Sequence, residues 1–217
     1  MHRSGSAPKC QPDRHSPVIE KIVRWQEDSE PPIMWLLGPE SSGKSVIAQA
    51  LAELWENEGI LLATFFFSRH DPNRNHALPL FATIAYQVAQ SFTASREVIT
   101  RVTERNPLVL KQSPESQLTS LIIEPLQQLY EGTGQLSESS SDPHLIIIEG
   151  LDQCIDSDTQ IHVLSSISKA LKACNFPLKF FITSRPEPHI VAAFNSETIK
   201  PILNSLSLDE FRPGDYM

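Results

Sequence analysis

The chain has 217 residues, 40% hydrophobic and 20% charged, an ordinary globular composition with enough length to bury one good core, so a single domain is the economical expectation. A formal net charge of −8 with no dense Lys/Arg run argues against a dedicated nucleic-acid surface, and no nucleic-acid partner is expected, although a local basic groove stays open. Met1–Gln11 lacks the apolar centre of a secretion signal and no later apolar run approaches bilayer length, so a soluble, cytoplasmic protein with no membrane segment is expected.

Residues 1–17, rich in Pro and Ser, read as a flexible segment, and 18–217 as the folded domain. Val18 to Trp25 carries apolar residues at helical spacing. Ile33 to Leu37 is a continuous apolar run, the pattern of a strand covered on both faces. Gly38-Pro39-Glu40-Ser41-Ser42-Gly43-Lys44-Ser45 then fits the pattern G-x-x-x-x-G-K-[ST] of a phosphate-binding loop, and Val46 to Glu56 continues as an amphipathic helix. The order strand, loop, helix is the context the motif requires. Its glycines let backbone N–H groups approach phosphate oxygens, and the helix that starts at Lys44 adds its positive dipole end. Lys44 is placed to reach the β- and γ-phosphates and the Ser45 hydroxyl to bind Mg²⁺, so ATP or ADP with Mg²⁺ is the expected ligand.

Ile60 to Phe67 reads as a second buried strand, Ser68 to Leu78 as a polar loop with Arg69, Asp71 and Arg74, and Leu80 to Phe92 as a helix. A further helix is expected near 95–104, and another over Glu115 to Tyr130, kinked by Pro125. Residues 131–143 read as a flexible Gly/Ser/acidic loop. His144 to Ile148 is the third strand, Thr159 to Ala173 a helix, Leu178 to Ile182 the fourth strand and Ile202 to Leu208 the fifth. Strands alternating with helices imply an α/β fold: a three-layer P-loop NTPase architecture with a parallel sheet of about five strands and helices on both faces. Ligands of such sheets lie at the carboxyl ends of the strands, where Arg69, Glu149, Asp152 and Arg185 follow apolar runs. Cys10, Cys154 and Cys174 form no C-x-x-C pair and read as reduced thiols, and the scattered histidines suggest no metal site. Trp25, Trp35 and Trp55 read as core.

Leu145 to Ile148 followed by Glu149-Gly150-Leu151-Asp152-Gln153 resembles the Walker B region of NACHT-type STAND nucleoside triphosphatases, the group that includes fungal NLR-like proteins and nephrocystin-3-like N-terminal domains. Phe65-Phe66-Phe67-Ser68-Arg69, Leu80 to Gln87, the sensor-like stretch Phe181 to Ile190 and the opening Cys10 to Arg14 are similar to that family as well, so the resemblance spans nearly the whole chain. It implies a nucleotide-dependent switch or assembly core in receptor-like signalling, with protein partners or self-association and adenine as the base. The family's closing helical and winged-helix domains are not recognisable within this sequence, which implies weaker binding and faster exchange of nucleotide.

Two positions depart from the pattern. Glu149 stands where the family has the magnesium-associated Asp, and Gln153 where it has Glu. Glu149 keeps the charge and is expected to weaken metal binding without abolishing it. Gln153 orients a water but accepts no proton, and losing a general base costs about 10²- to 10⁴-fold. Asp152 either takes that role or serves the turn. Arg185 is a γ-phosphate sensor or a surface ion pair; Arg69 has the same alternatives, with Asp71 or a neighbour as partner. Arg14 matches the family's entry arginine near base and ribose, against a solvated terminal residue. Glu40 opposes phosphate binding unless it points away, though recombinase-type ATPases carry a similar loop. The expected activity is slow ATP hydrolysis at best. The alternatives are a pseudo-NTPase scaffold without turnover and a recombinase-like or small-molecule kinase enzyme.

Overall fold

The computed structural model describes residues 16–28, 31–133 and 144–211. Five parallel strands form one sheet: β1 (Ile33–Leu37), β2 (Leu61–Phe66), β3 (His144–Glu149), β4 (Leu178–Ser184) and β5 (Leu203–Ser207), in the spatial order β2-β3-β4-β1-β5. Every residue of β3 and β4 is buried, which is why these segments read as unbroken apolar runs and not as an alternation. β4 lies between β1 and β3, so the strand ahead of the P-loop and the strand that ends in Glu149 are not neighbours.

The side-chain period of two divides the core. Leu145, Ile147, Met34, Leu36 and Phe181 face one layer, made by α1 (Pro17–Glu27) and α2 (Lys44–Asn57). Ile146, Ile148, Ile33, Trp35, Phe180 and Ile182 face the other. That second layer comprises α3 (Leu80–Ser91), α4 (Thr93–Arg105), α5 (Pro114–Leu118), α6 (Glu124–Thr133), α7 (Ser157–Ala173) and α8 (Pro188–Phe194). All three tryptophans are core: Trp35 stacks on Phe194 with ring centroids 4.2 Å apart, and Trp55 meets Phe181 edge-on.

Several boundaries differ from the sequence reading. The helix expected over Glu115 to Tyr130 passes through a π-helical turn, Thr119–Ile123, between α5 and α6, just ahead of Pro125. Pro125 has no N–H and its ring crowds the carbonyl four residues back; the wider π turn just before it relieves both problems. Residues 131–133, expected in a loop, are the last of α6, while 134–143 lie outside the described residues. Of the expected flexible amino-terminal segment, Ser16 stands at the N-cap position of α1 without a side-chain capping bond and Pro17 begins the helix, because proline at a first helical position loses no hydrogen bond; residues 1–15 lie outside the description. No helix among the described residues is long and apolar enough to cross a membrane.

One buried cation was not anticipated. Lys179, in β4, is 6% exposed, and its Nζ donates to the carbonyls of Trp25, Gln26 and Asp28 at 2.6, 3.1 and 2.7 Å. These are the orphan acceptors at the carboxyl end of α1, where a cation also suits the helix dipole. Lys179→Met should therefore leave buried carbonyls unpaired and lower unfolding stability by about 2–4 kcal/mol in a urea titration. A change within about 0.5 kcal/mol would mean that α1 is held by its apolar face alone.

Candidate nucleotide site

The carboxyl ends of β1, β3 and β4 bring the sequence candidates together. The P-loop leaves β1 at Gly38, where side chains are excluded: a β-carbon there would lie 2.8 Å from Ser42 Oγ and 3.1 Å from Leu208 Cβ. The loop turns through left-handed conformations at Ser41 (φ +61°) and Gly43 (φ +92°) and enters α2 directly. Gly43 is the helix cap and offers no capping side chain, and the first turn carries no acidic residue. An N-terminus that begins with a lysine is electrostatically wrong for an isolated helix and right for one that receives an external anion.

Lys44 is buried, and its Nζ folds back onto the loop, donating to Gly38 O at 2.8 Å, Pro39 O at 2.6 Å and Ser42 Oγ at 3.2 Å. Burial pushes its pKa below the ordinary lysine value, opposed by the carboxylates of Asp152 and Glu149. Ser45, one residue on, is exposed and donates its hydroxyl proton to Glu149 Oε1 at 2.6 Å. Glu149 is 4% exposed; desolvation raises its pKa, and the bond from Ser45 pulls it partly back.

Gly150 follows in the left-handed region (φ +70°) and donates its N–H to Thr183 Oγ1 at 3.0 Å, which fixes the turn after β3 to the end of β4. The turn then presents Asp152, 5% exposed. One of its oxygens accepts from the Arg185 backbone N at 2.9 Å and the other from Arg185 Nε at 2.7 Å. This two-point grip raises the Arg185 pKa further and leaves both Asp152 oxygens engaged. Gln153 turns away: its Oε1 accepts from Arg69 N at 3.2 Å, tying the loop after β2 to the turn after β3.

Arg69 also donates from Nη2 to Asp152 O at 3.3 Å. The ion pair considered between Arg69 and Asp71 does not form. Asp71 instead binds Arg74 Nε at 2.8 Å and Asn73 N at 2.9 Å within a tight turn, a local geometry that leaves no oxygen aimed at Arg69. The Glu40 side chain is 84% exposed and its Oε2 lies 4.0 Å from Arg185 Nη1. Arg14 lies outside the described residues. Thr183 and Ser184, both fully buried, were read only as part of the sensor-like stretch and are structural partners; Ser184 Oγ accepts from Trp35 Nε1 at 2.9 Å. Their signal was two polar residues ending an apolar run.

The donor set suits a small hard cation. Ser45 Oγ and Glu149 Oε1 are hard oxygens 2.6 Å apart, close to the cis spacing of about 2.9 Å that octahedral Mg²⁺–oxygen bonds of about 2.0–2.1 Å require.

A parallel sheet with helices on both faces, a glycine-rich loop at the end of β1 and an acidic turn at the end of β3 define a P-loop NTPase core. The chain belongs to the nephrocystin 3, N-terminal family, whose sequence profile matches residues 19–185. No curated protein sequence matches it significantly. Among solved structures, it resembles the Orc1 protein of Aeropyrum pernix in complex with DNA, at 12% identity and a TM-score of 0.52, over 93% of this chain and 46% of that one. It also resembles a chain of the Drosophila ORC bound to poly(dA/dT) DNA and Cdc6, at 10% identity and a TM-score of 0.51, over 88% of this chain and 27% of that one. The chain thus spans less than half the length of either, and at these identities the likeness is one of fold.

The buried carboxyl of Glu149 gives a pH signature. Its pKa is raised on folding, so the folded state holds this proton more tightly than the unfolded chain; its contribution is full below the ordinary value of 4.5 and is lost as pH rises through the raised one. Glu149→Gln removes that cost. The nucleotide-free variant should melt about 2–4 °C higher than wild type at pH 8, with the gain vanishing below pH 4.5. A lower melting temperature at pH 8 would contradict this.

Proposed function

We propose that this chain is a NACHT-like nucleotide-binding module that takes Mg·ATP, hydrolyses it slowly at best, and serves as a switch or assembly element in a cytoplasmic signalling protein. The observation that carries the reading is the convergence of Lys44, the Ser45–Glu149 pair and the Asp152–Arg185 pair at one sheet edge beside an uncapped helix N-terminus. The backbone of Gly38 to Ser45 cradles phosphates, and Lys44 exchanges its loop carbonyls for phosphate oxygens. Ser45 and Glu149 hold Mg²⁺, which when bound neutralises charge on the phosphates. Arg185, steadied by Asp152, offers its terminal guanidinium nitrogens to the γ-phosphate.

Slow turnover is supported by the engagement of the candidate base and of the candidate water-positioning group. Asp152 is committed to Arg185, and the Gln153 amide oxygen to Arg69. A water that Gln153 positions requires this last bond to open. The same observations favour a second reading, a scaffold in which nucleotide is bound but not turned over. DNA in two structural relatives leaves the expectation of no nucleic-acid partner without support, and a basic single-stranded or duplex contact is a separate assay.

The test is retention of radiolabelled ATP with Mg²⁺ on the purified protein. Wild type should retain label, and Lys44→Ala should bind about a hundredfold more weakly, the range expected for losing charge-assisted contacts to phosphate. Label that converts slowly to ADP makes the module an NTPase, and label retained as ATP makes it a binding switch. Equal retention by Lys44→Ala would refute the assignment of the P-loop, and turnover near the common enzymatic value of about 10 s⁻¹ would refute slow hydrolysis.

A further inference from the structure

Glu40 has no role in the function proposed above, and a carboxylate inside a loop that holds phosphates opposes that task. Its position relative to Arg185 gives it one. Asp152 takes the backbone N and Nε of Arg185, so the guanidinium is anchored there and its two terminal nitrogens face other groups. Nη2 lies 3.4 Å from Glu187 Oε1, on the segment that leads into α8. Nη1 lies 4.0 Å from Glu40 Oε2. The side of the fork that faces the phosphate loop therefore already faces an anion.

The backbone around Glu40 is pinned. Pro39 O is held by Lys44 Nζ at 2.6 Å, and Ser41 sits in the left-handed region at φ +61°. Glu40 can leave Arg185 by changing rotamer without the loop moving. Its side chain is 84% exposed, so water competes for it and the contact is weak and reversible. Around Lys44 and Arg185 stand the carboxylates Glu40, Glu149, Asp152, Glu187 and Asp209, and Glu40 alone belongs to the P-loop.

We propose that Glu40 is a tethered competitor for the place on Arg185 that a terminal phosphate would occupy, and that it lowers the preference of this protein for nucleoside triphosphate over diphosphate. The inference rests on the nucleotide-binding reading of the P-loop. A γ-phosphate must displace the Glu40 carboxylate to reach Nη1, whereas a diphosphate ends short of Arg185 and leaves the contact in place. Glu40 thus makes the triphosphate state conditional: anything that neutralises or draws away this carboxylate strengthens the grip on the third phosphate. The contact is exposed, so salt screens it.

The experiment compares dissociation constants for ATPγS and ADP, with Mg²⁺, in the full chain and in Glu40→Gln, Glu40→Asp and Arg185→Gln, alone and combined. Glu40→Gln should tighten ATPγS about two- to fivefold, the reach of one exposed charge pair, and ADP less than about 1.5-fold. The difference should shrink at high salt and disappear in the Arg185→Gln background. Glu40→Asp keeps the charge but stops one methylene short of Arg185, so it should behave like Glu40→Gln; this arm needs no Arg185 variant to fold. Equal tightening of both nucleotides, a Glu40→Asp protein that matches wild type, or an effect that survives Arg185→Gln would overturn the proposal and leave nucleotide binding intact. Binding that appears only in the Glu40 variants would support it, and no binding in any variant would overturn both readings.

Discussion

A strand buried on both faces and paired along both edges can expose polar groups only at its ends, and β4 is such a strand. All seven of its residues are buried, and it is hydrogen-bonded to β1 on one side and β3 on the other. The site is organised by what β4 does at its carboxyl end. Thr183 fixes Gly150 after β3, Ser184 holds Trp35 of β1, and Arg185 takes both oxygens of Asp152. The P-loop and the acidic turn belong to strands that do not touch, so their relative position is set by this intermediate strand. At its opposite end β4 supplies Lys179, which secures α1, so one strand connects the amino-terminal helix to the candidate site.

The polar groups of the site are paired with one another. Lys44 is paired with loop carbonyls, Ser45 with Glu149, and Arg185 with Asp152 and the nearby Glu187 and Glu40. Ligand binding is then an exchange of partners, and its strength is a difference between two sets of interactions. The longer side chain of Glu149 matters in this balance. Its carboxylate accepts directly from the Ser45 hydroxyl at 2.6 Å, so in the proposed reading a metal on these two groups must first open that charge-assisted hydrogen bond.

Much of the fold was legible because the strands are buried on both sides. Ile33 to Leu37 and the third strand, anticipated to Ile148, are continuous apolar runs that no amphipathic helix would show, and their limits agree with the structure to within a residue. The P-loop was legible because its glycines and Lys44 have fixed spacing, and the convergence of Glu149, Asp152 and Arg185 followed from their position after apolar runs. Partner choice was less legible. Asp71 pairs with Arg74 because a turn brings them together, and Gln153 turns toward the Arg69 backbone; both depend on loop conformations that periodicity does not encode. The π turn before Pro125 resolves a steric conflict in a way that sequence alone leaves ambiguous with a kink. Lys179 was passed over because a lysine inside an apolar run looks like an edge residue, and only the packing of α1 shows what it holds.

The central claim is that the groups paired with one another in this site are those that hold nucleotide and metal. A crystal structure of the full chain with Mg²⁺ and ATPγS tests it most directly. The account predicts Lys44 Nζ on the β- and γ-phosphates, the Ser45–Glu149 hydrogen bond replaced by contacts to the metal or its waters, and Arg185 still gripped by Asp152 while Nη1 faces the γ-phosphate. Nucleotide bound away from the P-loop, or bound there with the Lys44 and Ser45 contacts unchanged, would contradict it.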